Sequence, residues 1–261
     1  MKSSAIGTEV HCEDVNRVRW LTLDRPETRN GLTIEVVDVL SQLLKEAARD
    51  EKIRVVVIAG AGGAFSSGLD LKAIMSRATD MNVVMRNFHN LTLSLRSVPQ
   101  PTIAAMDGPA AGFGANLALA CDLRWATDRT SLGQKFVRIG LMPDGGGTYF
   151  LPRLVGLGRA FELIYGGEMI EAGDAREMGL INRVLPQEDF KNAVQEYAER
   201  LAEGPPLAFA RAKQALLQNS GDLEAALKIE EEGQLELLHS QDFLEGVSSF
   251  LEKRRPKFRG H

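Results

Sequence analysis

Between Leu132 and Gly147 the sequence LGQKFVRIGLMPDGGG carries one carboxylate, Asp144, at the end of a mainly apolar run that opens into glycines. Two chemistries fit an aspartate there. Its side chain can accept free N–H groups at the start of a helix expected near Thr148, which is a structural cap. Alternatively, Phe136, Ile139, Leu141 and Met142 strip water from it, which favours the neutral acid and suits proton transfer. Two further stretches bear on the choice. GAGGAFSSGLDLK, residues 60–72, and DGPAAGFGANLALACD, residues 107–122, are glycine-rich loops that each follow an apolar run and each open a helix. Taken singly, either fits tight strand-to-helix packing. GFGAN is no dinucleotide fingerprint, and no GKS or GKT follows to make a phosphate loop. Taken together, two such loops can bring two backbone N–H donors to one carbonyl oxygen, which is what an oxyanion hole requires.

The elements that must position these residues read as an α/β chain. Val18 to Leu23 is a strand stopped by Asp24, Arg25 and Pro26. Thr33 then starts a helix to about Arg49, with Val36, Val37, Leu40, Leu43, Leu44 and Ala47 on one face. Arg54 to Gly60 is a β-branched run short enough for a buried strand. Thr102 to Met106 is another, followed by an apolar helix from Ala115 to Cys121. Strand, helix, strand in this order points to crossover connections. Leu180 to Leu185 reads as one more strand, after which the pattern is helical to the end. Phe190–Ala202, Leu207–Gln218, Leu223–Leu238 and Phe243–Lys253 all show helical spacing, interrupted by Gly204, Pro205 and Pro206 and by Gly221. The composition shift divides residues 1–200, a core carrying the site, from 201–261, a helical region too narrowly amphipathic to form a core alone.

Composition excludes several classes of function. At 261 residues, 44% hydrophobic and 25% charged, the chain can bury a sizeable core. Its net charge of -4 arises from 35 acidic and 31 basic residues without a long basic block, which argues against nucleic-acid binding. Cys12 and Cys121 offer neither a disulfide framework nor a metal-ligand cluster, so a reducing, cytoplasmic setting and no metal are expected. The opening MKSSAIGTEVHCEDV has no apolar targeting segment, and no run of about 18 apolar residues predicts a membrane span.

Five segments together resemble the crotonase, or enoyl-CoA hydratase/isomerase, superfamily: LTLDRPETRNGL (21–32), AGAGGAFSSGLDLK (59–72), VPQPTIAAMDGPAAGFGANLALACD (98–122), IGLMPDGGGTYFLPRLVG (139–156) and EGVSSFLEKRRPKF (245–258). The resemblance covers nearly the whole chain. It implies a spiral of ββα units with a C-terminal helical region that builds homotrimers, sometimes paired into hexamers. It also implies an acyl-CoA substrate, with coenzyme A part of that substrate and no separate cofactor.

Residue by residue, the resemblance places the oxyanion donors at the backbone N–H of Leu69 and of Phe113. It places CoA contacts at Arg25, Ala64, Ser66 and Gly68, with Phe250 and Lys253, three apart on one helical face, added from a neighbouring subunit. The acyl pocket falls within Ile74 to Leu91. The paired glutamates of hydratases are replaced here by Asn116 and Phe136, neither of which can take a proton from water. Asp144 matches an acidic position that some isomerases of the family use to carry a proton, and PDxGG is similar to the phenylacetate-pathway ring-opening isomerase branch. The expected chemistry is isomerisation of an enoyl-CoA with Asp144 as acid and base. The same resemblance allows an aryl- or acyl-CoA dehalogenase or hydrolase, with Asp144 as nucleophile and His89 activating water. It also allows a weak hydratase, or an acyl-CoA binding protein without activity.

Overall fold

The computed structural model describes residues 3–5, 9–76, 80–219 and 221–261. A seven-stranded sheet runs in the spatial order β1 (Ser3–Ala5), β2 (Val10–Val15), β3 (Val18–Leu23), β4 (Val55–Gly60), β5 (Thr102–Met106), β7 (Leu123–Thr127) and β10 (Arg183–Leu185). The first three strands are antiparallel, and every pairing from β3 outward is parallel. Parallel neighbours need crossovers, and helices supply them: α1 (Ile34–Arg49), α2 (Leu71–Ser76) with α3 (Met81–Ser97), and α4 (Phe113–Ala120).

A second, smaller layer runs beside the first. β6 (Ala110–Ala111) pairs in parallel with β8 (Ser131–Gly133), which pairs antiparallel with β9 (Met169–Glu171). Single parallel bridges, Ser66 with Ala110 and Leu32 with Leu69, continue this layer across the earlier turns of the chain. Each turn thus leaves one segment in the large sheet and one in the small layer before entering a helix. That is the spiral of ββα units.

Burial follows the two-residue period of the strands. Along β4, Val56 and Ile58 pack into a core shared with α1, α3 and α4, while Val55 and Val57 face the opposite side. That second side is covered by α8 (Gln187–Ala202) through Phe190, Val194, Ala198 and Ala202, together with Trp20 and Trp125. A strand buried on both faces has no polar face to show, which is why VVVI is continuous. α1 starts where expected, with Thr33 Oγ1 accepting the N–H of Val36.

The remaining helices are α5 (Gly147–Val155), α6 (Leu157–Gly166), α7 (Ala172–Glu177), α9 (Pro206–Gln218), α10 (Leu223–Leu237) and α11 (Gln241–Leu251). Among the described residues no helix is long and apolar enough to cross a membrane.

Four expectations shift. The strand expected from Leu180 begins only at Arg183, because Leu180 N and Ile181 N turn back to Ala175 O while Arg124 Nε takes Leu180 O. α4 starts at Phe113, two residues before Ala115, because Gly112 and not Gly114 makes the turn. α8 starts at Gln187, directly after Pro186 and three residues before Phe190, and ends at Ala202 as expected. α11 ends at Leu251, and Lys253 lies beyond it at φ 55°, so Phe250 and Lys253 do not share a helical face.

Candidate functional site

The two glycine-rich loops meet. Phe65 N donates to Pro109 O at 2.9 Å and Ala111 N to Ser66 O at 2.9 Å, which ties residues 64–68 along β6. At Gly68 a Cβ would stand 2.7 Å from Ala111 O and 3.1 Å from Phe113 N, so only glycine lets the chains come this close. Gly68 has φ +87° and Gly112 has φ +53°, both in the left-handed region that disfavours side chains. Each sits one residue before an expected donor.

Leu32 N donates to Gly68 O and Asp70 N donates to Leu32 O, at 2.8 and 3.0 Å. In such a bridge the intervening residue presents its own N–H to the other side, and here that residue is Leu69. Phe113 opens α4, where first-turn amides have no helical acceptor. Neither amide has a hydrogen-bond partner among the described residues. The second loop is fixed from behind as Gly112 N donates to Gly133 O at 2.9 Å. The first is pinned by Asn30, 1% exposed, whose Nδ2 donates to Ala61 O and Ala64 O. Sequence reading passed over Asn30, whose Oδ1 accepts the nearby N–H of Arg25 at 2.8 Å while its Nδ2 reaches main-chain oxygens more than thirty positions away.

Asp144 lies against the same helix. The Phe113 ring packs on Gly145, where a Cβ would come 2.6 Å from Cε2, and meets Phe88 edge to face at 4.7 Å. Thr92 Oγ1 donates to Gly145 O at 3.3 Å, and Asn116 Nδ2 donates to Asp144 O at 2.8 Å. The side chain of Asp144 does not cap: α5 has Gly146 as its N-cap with no side-chain hydrogen bond. Asp144 Oδ1 is instead buried with no partner. Burial pushes the carboxyl up to about 6, against a smaller downward pull from His89 and from its own backbone N–H. The source of that burial corrects the sequence reading, because Ile139, Leu141 and Met142 are exposed and only Phe136 is buried. The apolar run predicted desolvation of the right residue through mostly the wrong neighbours.

The other expected site residues fall in several places. Asn116 is fully buried, and Phe136 lines the back of Gly112, its Cζ 3.7 Å from where a Cβ would lie. His89 is exposed on α3. Arg25 is not a solvated surface charge: it pairs with Glu9 at 3.0 Å and Asp70 at 3.1 Å and donates to Gly31 O. Ala64 is buried, with its carbonyl taken by Asn30. Ser66 is completely buried, and its hydroxyl donates to Asn30 O at 2.8 Å and accepts from Gly68 N. A side chain held this way braces the loop, and Ser67 is the exposed member of this pair. Phe250 is 82% exposed.

Ile74, Val84, Phe88 and Leu91 point into the core, and residues 77–79 of the expected acyl pocket lie outside the described residues. Among the described residues no group of three or more His, Cys, Asp or Glu is placed to hold a metal ion. Sequence reading also passed over Gln134, 2% exposed, whose Nε2 donates to Asn116 Oδ1 at 2.8 Å.

Two glycine-rich loops joined along β6, with a partly buried acid against the helix that the second loop opens, sit on a spiral of ββα units and define a class. The chain belongs to the enoyl-CoA hydratase/isomerase family, whose model matches residues 13–261. It is 43% identical over 242 residues to a probable enoyl-CoA hydratase of Rhodobacter capsulatus, covering 92% of this chain and 93% of that one. It is 38% identical over 251 residues to the 1,2-epoxyphenylacetyl-CoA isomerase of Escherichia coli, covering 93% and 95%. Among solved structures, an enoyl-CoA hydratase from Bacillus anthracis superposes with a TM-score of 0.93 at 34% identity, covering 97% of this chain and all of that one.

The raised carboxyl has a consequence for stability. Between the ordinary aspartate value and about 6 the folded protein binds a proton that the unfolded chain has released, so this group makes stability fall as pH rises through that window. Asp144→Asn removes the penalty. The variant should melt above the parent at pH 7 to 8, with the gap closing below about pH 4; a gap independent of pH would contradict the buried, partnerless carboxylate.

Proposed function

We propose that this protein isomerises the double bond of an enoyl-CoA thioester, with Asp144 moving the proton and the amides of Leu69 and Phe113 holding the thioester oxygen. The carboxylate of Asp144 takes a proton from the acidic α or γ carbon. The electron pair left behind moves onto the thioester oxygen, and the two N–H groups meet the charge as it grows. The carboxyl proton of Asp144 exchanges with solvent while the enolate is held, and Asp144 then delivers one proton to the other end of the conjugated system, so atoms and charge balance. One such amide donor typically lowers a barrier by about 2.7 to 4 kcal/mol. Coenzyme A enters as part of the substrate, and no other cofactor is required.

The observation that carries this reading is the single partly buried acid, pushed up to about 6, with one oxygen left without a partner. A group poised near neutral pH can both accept and return a proton. Hydration needs a second acid-base group on water. Asn116 has its amide engaged on Asp144 O and Gln134, and Phe136 carries no proton to exchange. Relatives are named both as hydratases and as isomerases, and these two positions favour the isomerase side.

A second reading rests on His89, whose charge acts on Asp144 from α3. There Asp144 attacks carbon of an aryl- or acyl-CoA, a leaving group departs, and water activated by His89 frees the product. Incorporation of ¹⁸O from labelled water into the Asp144 carboxylate during turnover would favour it over isomerisation.

The working unit is proposed to be a cytoplasmic homotrimer or a dimer of trimers. Leu223, Leu227, Leu235, Leu244, Phe250 and Leu251 of α10 and α11 are all more than half exposed, a quantity of apolar surface that favours cover by another copy. Sedimentation should therefore give a trimer or hexamer, and a monomer at micromolar concentration would contradict this.

In D₂O, a panel of enoyl-CoAs should show double-bond migration with deuterium uptake. Asp144→Asn should cut this turnover by about 10²-fold or more while leaving CoA-ester binding nearly intact; unchanged turnover would remove Asp144 from the mechanism. Hydration of crotonyl-CoA should be very slow, and a rate typical of a dedicated hydratase would overturn the assignment.

A further inference from the structure

We propose that Gln134, acting through Asn116, is a positioning residue that fixes the main chain of Asp144 relative to the amide of Phe113. The inference rests on the role given to Asp144 above. Its starting point is the direction of a chain of three polar groups. Asp144 O is a carbonyl and can only accept, so the Asn116 amide must turn Nδ2 toward it, at 2.8 Å. That leaves Asn116 Oδ1 facing Gln134, which must then present Nε2, also at 2.8 Å. Reversing either amide would set oxygen against oxygen.

The chain is complete in this sense and terminates on Gln134 Oε1, which is buried and has no partner. A buried acceptor without a donor costs roughly 1 to 3 kcal/mol, so packing alone does not explain a glutamine here.

The two ends of this chain are tied to the donor loop. Asn116 lies three residues after Phe113 on α4, so one turn of helix carries both the free amide and the tether to the acid. Gln134 directly follows Gly133, whose carbonyl accepts Gly112 N at 2.9 Å, in the residue before Phe113. Closeness at Gly147, where a Cβ would come 2.5 Å from Asn116 Nδ2, leaves the loop little room to shift. The separation between the place where enolate charge gathers and the acid that moves the proton is therefore set by α4 and by two side-chain amides.

Gln134→Met keeps length and removes the donor. It also removes the partnerless Oε1 while freeing Asn116 Oδ1, so melting temperature should change little. Turnover should fall about 10-fold or more with KM within about twofold, because the substrate's hold on the enzyme is untouched and only the acid is misplaced.

A second measurement does not depend on catalysis: the Asp144 titration midpoint, followed by ¹³C-aspartate NMR without substrate, should move down toward the ordinary carboxylate range as the loop loosens. His89 of α3 is the charged side chain acting on Asp144 and is unchanged in this variant. α4 has no titratable side chain, Arg138 is turned to Glu168 and Gly166, and Arg153 of α5 is turned to Tyr149 O.

A folded Gln134→Met protein with unchanged kcat and an unmoved midpoint would overturn the inference. If Gln134→Met fails to fold, Gln134→Leu, which also lacks the donor and adds no charge, takes its place with the same expected outcomes. A moved midpoint together with full turnover in Asp144→Asn would instead uphold the positioning and overturn the isomerase reading.

Discussion

The two loops of this site each present a main-chain N–H group, that of Leu69 and that of Phe113, which has no acceptor among the described residues. A backbone amide that is buried and unpaired is costly, and proteins rarely keep one without a use. Here both arise from the architecture. Leu69 sits in a single-residue bridge whose hydrogen bonds are made by its neighbours, and Phe113 is the first residue of a helix. Each follows a glycine in the left-handed region, which turns the peptide so that its N–H leaves the sheet layer. The smaller layer of strands and bridges, tied to the larger sheet at each turn, brings the two positions together although forty-four residues separate them in sequence.

The acid beside them shows the same economy of partners. Asp144 makes its strong contacts through its main chain, to Asn116 and Gly147, and leaves a carboxylate oxygen unmatched. Were that oxygen bonded to an amide or a cation, the carboxyl would fall below its ordinary range and lose its ability to hold a proton near neutrality. Arg25 and Asp70 form an ion pair at 3.1 Å that holds the first loop against the turn before α1. Asp70 is held by a cation, whereas Asp144 keeps one oxygen without a partner.

The C-terminal helices follow a different rule. α9 is docked by Lys213, which bonds Gln100 O and pairs with Asp122 beneath it at 2.7 Å. α10 and α11 keep much of their apolar surface in the open, and Phe250 at the end of α11 is nearly bare. An amphipathic pattern is satisfied by any apolar partner, within the chain or beyond it, so periodicity shows that a face will be covered without saying by what.

Much of the fold was legible in the sequence because its signals are local. β3, β4, β5 and α1 appeared within a residue or so of where runs of β-branched residues, the Thr33 cap and a helical stripe put them. The two glycine loops and Asp144 stood out by type, and the five motifs fixed the family. What the sequence could not decide were matters of direction and distance. Ser66 carries a hydroxyl by type, and only the fold turns it onto Asn30 O; Lys253 belonged to a helix by spacing and proved to lie past its end; Ile139, Leu141 and Met142 were apolar by type and proved to face solvent. Sequence reading passed over Asn30 and Gln134, whose Nδ2 and Nε2 reach partners across the fold. Residue type sets which contacts a side chain is able to make. Only the folded chain determines which partners are within reach and which polar atoms go without.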